Sequence, residues 1–112
     1  MGLDQYAYAS KRGIKKKEIA YWRKHPHLEG YMAELYYDRE GNGEFNCKTL
    51  RLDEDDIVTL QEHIENSTLP VTGGFFFGND ASDEYRETDL EFCTKALLYL
   101  NDGYNITYTS WW

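Results

Sequence analysis

Apolar and polar side chains alternate over residues 3–9, with Tyr6 and Tyr8 on one face. A period of two predicts a strand. A run rich in Lys and Arg follows, broken by Gly13, and residues 18–23 alternate again, with Ile19 and Tyr21 on one face and Ala20 and Trp22 on the other. The two segments predict a hairpin joined by a basic loop. His25-Pro26 predicts a helix start, because proline at the first helical position forfeits no hydrogen bond. Leu28, Tyr31, Met32 and Leu35 then recur at spacings of three and four, which makes one apolar face. Gly41 or Gly43 ends that segment. Residues 45–51 predict a third strand, with Phe45, Cys47 and Thr49 on one face. Asp53 is a good N-cap for a second helix, acidic in its first turn and apolar at Ile57, Leu60 and Ile64. Residues 68–78 read as a loop, marked by Pro70 and glycines. Thr88-Asp89-Leu90-Glu91 matches a capping box and predicts a third helix through Leu90, Cys93, Leu97 and Leu100. Asn101-Asp102-Gly103 closes it, and residues 104–111 alternate as a last strand. The order predicts one α+β domain over residues 1–112: a mixed or antiparallel sheet of about four strands with about three helices on it. Strand order is not legible.

Composition narrows the classes of function. Ten Tyr, five Phe and three Trp in 112 residues argue against disorder. The net charge of −8 is divided unevenly: residues 1–28 carry +5 and residues 29–112 carry −13. An acidic body repels nucleic acid in bulk, so direct nucleic-acid binding is not expected, although Lys11, Arg12, Lys15, Lys16 and Lys17 can touch an anion locally. No apolar run approaches the ~20 residues of a membrane span, and the N-terminus lacks signal-peptide regions. Two distant cysteines, Cys47 and Cys93, read as buried thiols. A soluble, cytoplasmic protein is the expectation.

Four constellations bear on chemistry. His25, His27 and Glu29 alternate at a helix start and so do not share a face, which makes a poor metal site. One of these His could serve as acid, base or anion contact; the preferred reading has His25 cap the helix and His27 in solvent. Asp80, Asp83, Glu84, Glu87 and Asp89 lack the spacing of a calcium loop, and acidic residues before a helix suit its dipole. Tyr21-Trp22-Arg23-Lys24 sets amphipathic rings beside cations, which is recognition chemistry. Trp111-Trp112 is a candidate oligomer contact, since one indole of the pair is hard to bury in a monomer. Nucleotide-binding glycine loops, a nucleophile elbow and a zinc-protease motif are all absent. No cofactor or metal is implied.

The run Gly73-Gly74-Phe75-Phe76-Phe77-Gly78 is the most specific segment. Within the segment Leu69 to Gly78, and together with Met1 to Asp4, Tyr21 to Lys24, Asp83 to Tyr85 and Ser110-Trp111, it makes the chain resemble a family of small bacteriophage and bacterial proteins without an established activity. Members of that family often carry His and then an aromatic residue in the helix after Tyr-Trp-Arg-Lys, where this chain has Glu29 and Tyr31. If that His were the family's base or ligand, Glu29 would have to replace it.

The expectation is a non-enzymatic interaction module, such as a phage accessory protein with a protein partner. The alternative is a small ligand- or metal-binding enzyme. Its site would join Tyr21, Trp22, Arg23, Lys24 and Glu29 to Phe75, Phe76, Phe77, Gly78, Asp83, Glu84 and Tyr85. There Arg23 would hold an anion, and Glu29 or Asp83 would act as base or ligand. An acidic mimic of nucleic acid is the third reading.

Overall fold

A computed structural model describes residues 3–23, 25–39, 45, 48–66 and 82–111, and of 26 and 82–84 the backbone only. β1 (Asp4–Lys11) and β2 (Ile14–Arg23) form an antiparallel hairpin. α1 (Pro26–Arg39), β3 (Thr49–Leu52), α2 (Glu54–Glu65), α3 (Ser82–Asn101) and β4 (Asn105–Trp111) follow. The sheet order is β2-β1-β4-β3 and every pairing is antiparallel. This is the α+β architecture that the element order predicts.

The hairpin turns at Arg12-Gly13, with Gly13 at φ 81°. A Cβ there would meet nothing within 4 Å, so backbone conformation and not space calls for glycine. The basic cluster lies in the hairpin strands and not in a loop: Lys15, Lys16 and Lys17 belong to β2 and Lys11 to β1. A register shift opposite Ala7 and Tyr8 pairs Tyr8 with Glu18 and leaves Ile19 as the extra residue. That bulge buries Ile19 on the side of Trp22, where strict alternation would have set it beside Tyr21.

The inner face of the sheet carries Leu3, Ala7, Ala9, Trp22, Leu50, Leu52, Ile106 and Tyr108, all buried. α1 adds Leu28, Met32 and Tyr36; Tyr36 stacks on Phe45 and Phe45 on Tyr108, at ring separations of 4.8 and 6.0 Å. Phe45 is a core residue outside any strand. β3 is shorter than expected and shifted by one residue, because Leu50 and Leu52 supply the apolar period and Thr49 faces out. α2 begins as its sequence suggests. Asp53 Oδ1 accepts the Asp56 N–H at 2.9 Å, and the Asp53 N–H donates to Asp56 Oδ2 at 3.0 Å. Such a cap is worth about 1 kcal/mol. Ile57, Leu60 and Ile64 form its buried stripe.

α3 starts at Ser82, about two turns before the capping box expected at Thr88. Tyr85, Asp89, Phe92, Cys93 and Ala96 lie at helical spacings and face the core. Asp89 is therefore an interior helix residue, drawn inward by partners the local sequence does not name. The helix ends at Gly103 (φ 88°), where the Tyr104 N–H reaches back to the Tyr99 carbonyl at 2.9 Å. α3 packs on α2 and lies over β2 and β4. Among the described residues no helix is long and apolar enough to cross a membrane.

Candidate functional site

Two places carry unusual chemistry, one on each side of the sheet. The first is a buried polar cluster between the sheet and the starts of α1 and α3. Gln5 stands at an inward position of β1 between Leu3 and Ala7 and is fully buried. Its amide clamps the backbone just before α1: the His25 N–H donates to Gln5 Oε1 at 2.6 Å, and Gln5 Nε2 donates to the His25 carbonyl at 3.0 Å. The same Nε2 donates to Tyr108 Oη at 2.9 Å, and Tyr108 Oη donates to Glu29 Oε1 at 2.6 Å. Asp89 completes the group. One carboxylate oxygen accepts the Trp22 indole N–H at 2.8 Å and the other lies 2.6 Å from His25 Nε2. Tyr85 stacks on the His25 ring at 4.8 Å and donates through its hydroxyl to the Arg23 carbonyl.

The ionisable groups at the centre of this cluster are nearly sealed, His25 being 0 % exposed, Asp89 2 % and Glu29 3 %, while Tyr85 is half-buried at its edge. Burial pushes the Glu29 carboxyl up to about 7, against the opposing pull of hydrogen bonding from Tyr108 and Ser110. Ser110 Oγ is near enough to favour the carboxylate weakly, yet neither it nor Glu29 Oε2 has a hydrogen bond of full geometry among the described residues. His25 Nδ1 also lacks one. An imidazole oriented by a carboxylate is the arrangement of a general base. Catalysis also needs a path for substrate. Two hollows lined by described residues, one beside Glu18, Lys95 and Tyr99 and one beside Arg39 and Arg51, lie away from His25 and Glu29. Among the described residues no three His, Cys, Asp or Glu side chains gather in a way that would hold a metal.

The second place is the outer face of the sheet, where no helix lies among the described residues. Tyr6 and Tyr8 are neighbours along β1, with rings 6.2 Å apart and 13° from parallel. Tyr21 of β2 pairs with Tyr6, ring to ring at 5.1 Å. Its hydroxyl donates to Asp4 Oδ1 at 2.8 Å, and Arg23 approaches the same oxygen at 3.6 Å. Trp111 stands across from Asp4 on β4 and is 60 % exposed; Tyr21 is 44 % exposed. Lys16 Nζ sits 4.3 Å from the centre of the Tyr8 ring, and Arg51, exposed on β3, donates to Asn105 Oδ1 at 2.8 Å. Thr107 and Thr109 lie between these groups on β4.

The residues predicted from sequence divide between the two places. Trp22, Glu29 and Tyr85 meet around His25. Tyr21, Arg23 and Trp111 stand on the outer face, so Arg23 and Glu29 are separated by the sheet. Lys24, Phe75, Phe76, Phe77, Gly78 and Trp112 lie outside the described residues, as do the side chains of Asp83 and Glu84. His25 stands at the cap of α1 as expected, its carbonyl accepting the Glu29 N–H at 3.1 Å, but its ring is buried; His27, expected in solvent, is buried too, with the two rings 6.5 Å apart. Sequence reasoning missed Gln5, Tyr108 and Ser110, and set Asp89 at a solvated helix start rather than in the core. The signal for Gln5 and Ser110 was a polar residue at an inward position of an alternating strand. For Asp89 it was a carboxylate four and seven residues before Cys93 and Ala96 on one stripe. Comparison of the chain with protein-family models, curated proteins and solved structures finds no match, so the resemblance to the phage family rests on its motifs alone.

Proposed function

We propose that this protein is a non-enzymatic binding module whose recognition surface is the outer face of the sheet. The carrying observation is the division of side chains between the two faces. The His25–Asp89 pair and Glu29 are sealed in the core, whereas Tyr6, Tyr8, Tyr21 and Trp111 stand outward among Lys16, Arg23 and Arg51. The fitting partner offers planar or apolar edges for the rings together with negative charge for the cations. On the motif resemblance, such a module would act as a phage accessory protein in the host cytoplasm.

A face kept for recognition contributes little to stability. Trp111→Ala is expected to cost less than about 0.5 kcal/mol, as for an exposed position. Tyr6→Ala is expected to cost about 1 kcal/mol through its cross-strand pair with Tyr21. Phe92→Ala in the core is expected to cost roughly 3–5 kcal/mol. Urea unfolding of the three variants checks this. Losses at Tyr6 and Trp111 as large as at Phe92 would mean that the rings serve the fold, and the reading would fail.

A further inference from the structure

We infer that the outer sheet face takes a single-stranded nucleic acid, a proposal that rests on that face being the recognition surface. The whole-chain charge argues the other way, but the charge is segregated. Residues 3–23, the hairpin and its approach, hold six Lys/Arg against two Asp/Glu, a net of +4, and the rest of the chain carries −12. The acidic residues cluster on the helices: Glu54, Asp55 and Asp56 open α2, and Glu87 and Glu91 are exposed on α3. Not all of that charge faces the rings: Lys11 and Lys17 turn to Tyr104 and Tyr99 at the end of α3, and Asp4 and Glu18 stand on the outer face beside Tyr21 and Tyr8. Lys16 and Arg23 are the hairpin cations beside the rings, with Arg51 of β3, and a polyanion is drawn to these and repelled by the acidic helix faces.

The rings sit where that attraction acts. Tyr21, Tyr6 and Tyr8 form a continuous aromatic surface across the two hairpin strands. Lys16 lies at its Tyr8 end, and Arg23 stands at the other end near Trp111. Unstacked bases can lie on such rings whatever their identity, while their phosphates follow the cations. Thr107 stands beside the rings on β4, while the Thr109 hydroxyl donates to the Lys48 carbonyl and Asn105 Oδ1 accepts from Arg51, which holds that guanidinium on the same face. Duplex hides its base faces, so it would meet the cations without the stacking. A second copy of this chain would offer no phosphates to Lys16 and Arg23.

The test is fluorescence anisotropy with an oligothymidylate about 12 nucleotides long, the matching duplex, and polyglutamate as a polyanion without rings. The single strand is expected to bind at least about tenfold more tightly than the duplex or polyglutamate. Tyr21→Ala is expected to weaken it about tenfold, equivalent to about 1.4 kcal/mol. Lys16→Glu, exposed and outside the core, is expected to weaken it and to flatten the dependence on salt between about 50 and 200 mM. The inference is overturned if no single strand binds at the lower salt, if duplex or polyglutamate binds as well, or if Tyr21→Ala binds like the wild type. Should the single strand fail while Trp111→Ala and Tyr6→Ala cost no more than the small losses expected above, the occupant is wrong and the recognition face stands; a protein partner then takes its place.

Discussion

The Glu29 carboxyl accepts a hydrogen bond from Tyr108 on one oxygen and receives none of full geometry on the other among the described residues. Negative charge is poorly supported there, which is why burial raises its pKa from 4.5 to about 7. The native state therefore holds a proton that the unfolded chain releases. Linkage fixes the sign: the contribution of Glu29 is full below about pH 4.5 and falls as pH rises towards about 7. At 1.36 kcal/mol per pKa unit the whole effect is roughly 3 kcal/mol. Glu29→Gln keeps an acceptor for Tyr108 and cannot ionise. Subtracting its stability from that of the wild type, by urea unfolding from pH 4 to 8, is expected to give a difference that shifts in the variant's favour across that window and is flat above it. A flat difference throughout would show that the carboxyl is ionised and satisfied. The Cys93 thiol, pushed up to about 12 by burial, is inert by the same desolvation.

Among the elements, α3 shows how a carboxylate can anchor a helix rather than cap it. Asp89 accepts from the Trp22 indole of β2 and lies against His25 before α1, so one side chain joins three elements. Asp89→Ala would strand both partners in the interior, at an expected cost of roughly 3–5 kcal/mol. Leu98→Ala, on the exposed side of the same helix, is expected to change stability by less than about 0.5 kcal/mol. Equal losses in urea unfolding would remove Asp89 from this role. The contrast also marks how far the sequence is legible. Strands with a strict period of two, the α2 cap at Asp53 and the glycine stop at Gly103 depend on neighbours a few residues away, and all are readable. Where α3 begins, and why His25 is buried, depend on Gln5, Trp22 and Tyr85, which lie 20 to 67 residues from their partners along the chain. The Ile19 bulge is likewise set by pairing with β1. The outer face was half legible: Tyr6 and Tyr8 share a side in any strand, but Tyr21, Arg51 and Trp111 join them only once strand order is known.

At the scale of the whole molecule, a net charge of −8 conceals a basic hairpin, +4 over residues 3–23. Arg12, Lys15, Lys16 and Lys17 are exposed together at the end of the hairpin, so the protein is expected to be retained at pH 7 and low salt on a cation exchanger as well as on an anion exchanger. Lys16→Glu is expected to abolish most of the cation-exchange retention, and passage of the wild type straight through that column would argue against segregated charge. The strand order has another consequence. β1 and β4 lie side by side at the centre of the sheet, with Asp4 opposite Trp111, so the pairing that closes the core joins residues about as far apart as the chain allows. Contacts of such range slow folding, because a large loop must close before they form. During synthesis, at about 5–20 residues per second, the hairpin emerges several seconds before β4. For that interval one edge of β1 has unpaired backbone groups and is open to the wrong strand. The basic side chains along the hairpin, which repel another copy, then guard the nascent chain against its own kind.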